Sequence, residues 1–324
     1  MDLAIVDTTL ITFQGEGLGV IEKGGLGIMG NEIAFVGKSD DLRGADEVID
    51  GSGCVTMPGL IDSHAHTWLA LLKGGAQDMP EIQWMKKGLE PFVNHMNKKD
   101  RIAGSKLGVL EGLRTGTTTF CEFSPEVKGY VENVYLPFGV RTVAVETLNE
   151  VVGVDARGLY ELDRSIGEEG LKKADALVDE YKRSEMVYPG YGPQALDMVT
   201  IELLEEVKEN AWDSKSDIHM HVAQGERERL QVEKRYGART VKIMYDMGML
   251  DEKLVAVHCH DTEIEEKGML VENGVRMVGC PSSIGMIDGI VPPIHDLLSM
   301  GGEVGVGTDQ APGEKVLRVK LPRL

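Results

Sequence analysis

MPGLIDSHAHT, residues 57–67, ends a short apolar run with two histidines, His64 and His66. In an extended strand residues i and i+2 project from one face, so both imidazoles point the same way. Downstream, short apolar strand candidates alternate with longer amphipathic helix candidates, the pattern of a parallel sheet with crossover helices. Eight strands can be read, at 55–66, 117–123, 139–147, 186–193, 217–224, 254–260, 275–281 and 303–309. Helices are expected at 98–116, 170–184, 200–210, 226–248, 263–274 and 293–301. In TIELLEEVKEN (200–210), Ile201, Leu204 and Val207 fall on one stripe with glutamates opposite.

This pattern predicts an α/β chain folded as a (β/α)8 barrel, whose chemistry sits at the C-terminal strand ends. Reactive side chains should then collect at those ends. His64 and His66 end the first strand, His219 and His221 lie near the end of the fifth, His258 near the end of the sixth, and Asp309 ends the eighth. The first 56 residues differ, reading as short strands separated by GEG, KGG, MGNE and DGSG turns. They suggest a small antiparallel sheet too thin to bury a core alone.

The 324 residues carry 53 acidic against 34 basic side chains, a net charge of −19. A surface of that sign argues against a nucleic-acid or anionic-membrane partner. MDLAIVDTTLITF has no basic n-region and is interrupted by Asp2 and Asp7, so it reads as neither signal peptide nor membrane span. Cys54, Cys121, Cys259 and Cys280 form no CxxC and are expected as buried free thiols in a reducing cytoplasm.

A divalent metal accounts for the histidine distribution, because Zn²⁺ and Fe²⁺ accept neutral imidazole and carboxylate and a catalytic site keeps one position open for water. His64 and His66 grip from one strand, and His221 and Asp309 close the set across the barrel mouth. The metal lowers the pKa of its bound water toward neutrality.

PGLIDSHAH, HMHVAQ, LVAVHCH and GVGTD, in this order, resemble the amidohydrolase superfamily of metal-dependent hydrolases. Further marks are EVIDGSGCVTMPGLIDSHAHT, EIQWM around Trp84, and LEGLRTGTTTFCEF. The similarity is greatest to the branch of S-adenosylhomocysteine and 5′-methylthioadenosine deaminases and s-triazine hydrolases. It implies a distorted barrel over 57–324, a small β-sandwich built partly from residues 1–56, and one catalytic metal, Zn²⁺ with Fe²⁺ as alternative. By position it implies the ligands His64, His66, His221 and Asp309, with His258 contacting the hydrolytic water or substrate and His219 structural. Asp309 is placed to take the water's proton, and His258 to orient the water. Metal-activated water then attacks an electron-poor ring carbon, and ammonia or another group leaves. A dimer or tetramer is expected, since homo-oligomers are common in the resembling family.

Three departures stand against the family pattern. The deaminases carry a glutamate three residues after the fifth-strand histidine, where Gln224 stands here; a carboxamide donates a hydrogen bond but cannot relay a proton. Glu226, His258 or water would have to act instead, or a better leaving group such as chloride would need less help. Gln194 follows GP where nucleoside deaminases have a histidine, and Ile284 replaces an asparagine in CPSSIG, so the substrate pocket is expected to differ. Gln194, Gln224 and Trp84 are the substrate-binding candidates, and Gln224 occupies the catalytic relay position. Finally, the chain ends 15 residues after Asp309, and its tail EKVLRVKLPRL reads as truncated or frame-shifted, leaving the sandwich incomplete. Cys259 is expected buried; Met244, Met247 and Met249 as core or interface filler; ERERLQVEKR (226–235) as a solvated helix face.

The sequence thus points to a hydrolase acting on C–N bonds of a small heterocycle. Hydrolytic dehalogenation of a triazine-type ring, or a silent metal-binding remnant, are the rivals.

Overall fold

The computed structural model describes residues 1–76 and 79–310. The chain divides into two compact units, Met1–Leu60 and Ile61–Leu324.

The first unit is one five-stranded sheet: β1 (Leu3–Ile11), β2 (Val20–Met29), β3 (Glu32–Lys38), β4 (Glu47–Asp50) and β5 (Val55–Thr56). β1, β2 and β3 pair antiparallel, whereas β4 and β5 run parallel to β1. The sheet is therefore mixed, which corrects the antiparallel expectation. After β3 the chain passes through a helical turn at Ser39–Asp41 and reaches the far edge of β1, where Asp46 and Glu47 donate N–H groups to the carbonyls of Met1 and Asp2. A connection that crosses the sheet this way delivers a parallel strand, which a tight hairpin cannot. Few of its apolar side chains are buried; Ala4 and Leu10 are, while Ile33, Val36, Val48 and Ile49 are exposed.

In the second unit, β6 (Leu60–Ala65), β7 (Thr117–Ser124), β8 (Arg141–Leu148), a hairpin of β9 (Val151–Val154) and β10 (Tyr160–Leu162), β11 (Val187–Pro193), β12 (Ile218–Val222), β13 (Leu254–His258), β14 (Arg276–Gly279) and β15 (Glu303–Val306) follow in turn. All but β9 and β10 form one eight-stranded sheet in chain order. A parallel bridge between Ala65 and Asp309 joins its two edges and closes the barrel. All eight predicted barrel strands are present. The helices also follow the prediction, with one break. The helix expected over 226–248 is two, Glu226–Tyr236 and Thr240–Asp246, because Gly237 ends the first at φ 78°. The β9–β10 hairpin and the helical turns Val127–Phe138 were not anticipated.

The main core lies between sheet and helices, built from residues such as Tyr191, Leu204, Ile218, Met220, Met244 and Leu254. On the helix Ile201–Ser214 the buried stripe is Leu203, Leu204, Val207 and Ala211. Met244, Met249 and Cys259 are buried as expected, and Met247 packs against them. Cys54, however, is exposed and Cys121 only half-buried, so the four thiols do not share one environment. Arg227 and Glu228 are buried as well, against the reading of 226–235 as a solvated face. No described helix is long and apolar enough to cross a membrane. The tail EKVLRVKLPRL, on which the expected truncation rests, lies outside the described residues.

The helix Lys98–Arg114, capped by Asn97, packs on the turn Thr67–Leu72 that follows the His64/His66 strand. The approach is close at Gly104, where a Cβ would lie 2.2 Å from the Trp68 carbonyl oxygen. In an exposed helix Gly→Ala stabilises by ~1 kcal/mol. Here overpacking outweighs propensity, and Gly104→Ala is expected to cost about 1–3 kcal/mol. A denaturant midpoint equal to or above that of the parent chain would contradict this packing.

Candidate metal centre and cleft

Each histidine of the centre is presented by the C-terminal part of a barrel strand. β6 carries His64 and leads directly into His66, β12 carries His219 and His221, and β13 ends on His258. Asp309 follows β15. Donor atoms of His64, His221, His258 and Asp309 all lie within 4.8 Å of one another, and all four residues are buried. His66 adjoins them: its Nε2 is 3.5 Å from Asp309 Oδ1, and His64 Nε2 is 3.6 Å from the same oxygen. The His66 and His258 rings each stack on His221, with centroids 5.6 and 5.3 Å away.

Hydrogen bonds fix which nitrogens carry protons. His66 Nδ1 lies 2.5 Å from the Phe123 carbonyl and His221 Nδ1 2.8 Å from the Gln194 carbonyl. A carbonyl only accepts, so Nδ1 carries a proton in both rings, which leaves Nε2 as the other nitrogen of each. His64 Nδ1 is 3.0 Å from His219 Nε2, and His64 Nε2 has no partner. His219 thus reaches His64 through Nε2. Neither nitrogen of His258 has a partner. Asp309 accepts from the Ser283 hydroxyl at Oδ2, 2.5 Å, which leaves Oδ1 facing the imidazoles.

Burial, reinforced by neighbouring imidazoles, disfavours charge on these rings. The pKa of His64 and of His258 falls well below the ordinary histidine value, His221 to about 4 and His219 to about 3. Burial opposes the charge on Asp309 too, but His258, His66 and the Ser283 hydroxyl outweigh it and hold the carboxyl below its usual range. Buried neutral imidazoles of His64, His221 and His258 thus converge with a carboxylate, and this donor set is that of a divalent metal site.

The backbone is bent to make this convergence. Ala223, His258, Cys259 and Asp309 take positive φ of 48°, 77°, 52° and 61°, all where barrel strands end. Such conformations are costly for side-chain-bearing residues and cluster at functional sites. Two buried carboxylates brace the bends. Glu122 on β7 accepts from the Thr67 N–H at 3.2 Å, the Tyr135 hydroxyl at 2.5 Å, and the hydroxyls of Thr67 and Ser124, fixing the residue after His66. Glu228 accepts from the N–H groups of Ala223 and Gln224, at 3.1 and 2.8 Å, and from the Thr240 hydroxyl at 2.7 Å. Burial raises its pKa to about 7. Sequence reading missed both; a lone acid inside the apolar run TTTFCEF was the available signal for Glu122.

A cleft of about 1780 Å³ opens over the centre, and His66, His221 and Asp309 form part of its lining. All three substrate-binding candidates, Gln194, Gln224 and Trp84, line it too, as does Ile284. Trp84 also packs on Leu72 and Ile287, so wall and core roles coincide. Glu226 does not line the cleft and its side chain is 69% exposed, which removes it as a relay in place of Gln224. Arg227, one residue on, points inward and bridges Asp197 and Glu81, with Nε 2.8 Å from Glu81. Burial works against its charge, but the two carboxylates outweigh it and keep the guanidinium ionised. The unanticipated β9–β10 hairpin supplies another wall through Val152, Val154 and Tyr160. Gln231 and Arg235 hold it, donating to the carbonyls of Gly158 and Tyr160 at 2.8 and 2.5 Å.

Residues 55–321 match the model of the amidohydrolase family. The chain is 30% identical over 312 residues to the 5-methylthioadenosine/S-adenosylhomocysteine deaminase of Moorella thermoacetica, covering 95% of this chain and 70% of that protein. It is 30% identical over 314 residues to the 5′-deoxyadenosine deaminase of Methanosarcina mazei, covering 95% and 69%. In fold it resembles an adenosine deaminase from Xanthomonas campestris solved with bound zinc, with TM-score 0.86 and 22% identity over 95% of this chain and 69% of that one. The zinc complex of atrazine chlorohydrolase TrzN from Arthrobacter aurescens gives a TM-score of 0.84 and 21% identity, covering 95% and 72%. The structural likenesses bear on the barrel and its N-terminal sheet; the sequence match spans the barrel strands and every histidine of the centre, and the chain belongs to the amidohydrolase family.

Proposed function

We propose that this chain is a metal-dependent hydrolase of C–N bonds other than peptide bonds, releasing ammonia from an aminated heterocycle. The observation that carries the reading is the convergence of imidazole nitrogens and Asp309 Oδ1 at the floor of a large cleft. The names of the relatives, deaminases of adenosine-type compounds, support an aminated purine or similar ring. Four free thiols support a reducing compartment, the cytoplasm.

His64, His66, His221 and Asp309 would hold the ion, and three nitrogens with one oxygen favour zinc over iron. When bound, such an ion lowers the pKa of a water so that a nucleophile is available near neutral pH. His258 is nearer the tightest grouping than His66, yet His66 has the stronger claim as ligand. His66 and His221 each donate Nδ1–H to a backbone carbonyl, the outer hydrogen bond that orients metal-bound imidazoles. His258 lacks one and keeps both nitrogens free to give or take a proton. Asp309 Oδ1 accepts a proton from the attacking water while Ser283 holds Oδ2 in place. Gln224 can donate to a ring nitrogen but cannot exchange a proton with it.

Elemental analysis separates these assignments. One ion per chain is expected in the parent protein and in His258→Ala, whose turnover should fall by about 10²-fold or more. His66→Ala and Asp309→Asn should lose the ion. A parent chain without stoichiometric metal would sink the hydrolase reading.

Gln224 favours one second reading, hydrolytic dehalogenation, in which chloride leaves without a proton. Ammonia and chloride release from matched aminated and chlorinated rings distinguish the two. If proton relay limits deamination, Gln224→Glu should accelerate ammonia release by about tenfold or more; unchanged or slower turnover would count against that account.

A further inference from the structure

We infer that Glu81 determines specificity by accepting a hydrogen bond from an N–H group on the substrate ring, with Gln224 donating beside it. The substrate class is then a nitrogen heterocycle carrying a second amino group, distinct from the one that leaves. The inference deepens the proposed hydrolase function and rests on it for the identity of the cleft.

Glu81 follows Pro80 at the start of a short helical turn, and its N–H donates to Asp288 Oδ1 at 3.1 Å, which pins the backbone. It lines the cleft but is only 7% exposed. Oε1 accepts from Arg227 Nε at 2.8 Å, whereas Oε2 is buried and has no hydrogen-bond partner among the described residues. Arg227 serves two carboxylates, Glu81 through Nε and Asp197 through Nη1, and its Nη2 lies 3.5 Å from Gln224 Oε1, so none of these contacts reaches Glu81 Oε2. A buried acceptor left in this state is unfavourable, and native structures keep few of them.

The free oxygen is aimed at a definite place. A Cβ on Gly225 would lie 3.1 Å from Glu81 Oε2 and 3.5 Å from His260 Nε2, so only glycine leaves this space open. His260 in turn lies against His258, with ring centroids 6.0 Å apart. Glu81 Oε2 therefore lies against the Gln224–Gly225 turn, on the side of His260.

Gln224 completes the pattern. Arginine offers only donors, so the amide oxygen of Gln224 is the atom turned to Arg227 and its NH2 is turned away. An acceptor from Glu81 and a donor from Gln224 match an amidine edge, a ring nitrogen next to an exocyclic amino group. A ring bearing hydrogen, chlorine or alkylthio at that position offers Glu81 no proton.

The test is equilibrium binding by calorimetry to the zinc-loaded full chain, using three matched pairs that differ by one amino group. They are 2,6-diaminopurine riboside against adenosine, 2,4-diaminopyrimidine against 4-aminopyrimidine, and 2,4-diamino-1,3,5-triazine against 2-amino-1,3,5-triazine. In at least one pair the more aminated member should bind about tenfold or more tightly. Glu81→Gln retains an oxygen for Arg227 and should bring the affinity ratio within each discriminated pair to about one. No preference in any pair, no binding of any pair, or an equal loss for both members in Glu81→Gln would overturn the assignment. The parent-chain preference stands as a test even if the variant folds poorly. Retained preference with no ammonia or chloride released from any ring would sink the hydrolase reading and leave the recognition role of Glu81 intact.

Discussion

The centre exists because the first and last barrel strands are tied to each other by backbone. Asp309 donates its N–H to the His64 carbonyl at 2.8 Å, and His66 donates to the Asp309 carbonyl at 2.9 Å. Asp62 reinforces the seam, accepting from the N–H and hydroxyl of Thr308 at 2.9 and 2.6 Å. These bonds bring the HxH strand end against a carboxylate that follows the last barrel strand, and β12 and β13 then arrive from the opposite wall. The strain at Asp309 and His258 is supported by this closure, since a left-handed side-chain-bearing residue persists only where its surroundings over-determine it.

Once assembled, the site is governed by desolvation. His64, His219, His221 and His258 are too deeply buried to protonate near neutral pH, and carbonyls of Phe123 and Gln194 each take the Nδ1 proton of His66 and His221 as a hydrogen bond. The same low-dielectric surroundings make the orphaned nitrogens of His64 and His258 costly unless something occupies them. Glu122 and Glu228 act one layer out, where their charge is spent on holding backbone N–H groups and hydroxyls in place. Outer-layer carboxylates of this kind set geometry to the few tenths of an ångström that coordination chemistry demands.

Gln224 shifts the chemical character of the cleft. Where a carboxyl would exchange protons, an amide offers a fixed donor, and the nearby negative charge is moved to Glu81 and Asp197 around Arg227. A carboxylate locked to a guanidinium is a recognition element first, because its charge is stabilised and its geometry set. The cleft thus combines a hydrolytic floor with a wall better suited to reading hydrogen-bond donors than to shuttling protons.

Strand and helix periodicity were legible because each element must bury one face, and that requirement is written locally as period two or 3.6. Turn chemistry was less so: Gly237 splits one helix, and the β9–β10 hairpin has no strong alternation to announce it. The mixed N-terminal sheet was misread because strand direction depends on where a connection lands, which no local pattern encodes. The metal-centre candidates His64, His66, His221, His258 and Asp309 were named from the sequence by residue type and position at strand ends. Their tautomers, the bracing by Glu122 and Glu228, the inward turn of Arg227 and the unpartnered oxygen of Glu81 came only from the tertiary structure. The sequence by itself determined which side chains could do chemistry and which strands carry them. Tertiary structure decided which of them meet, because hydrogen-bond partnership and burial are properties of pairs of segments far apart in the chain.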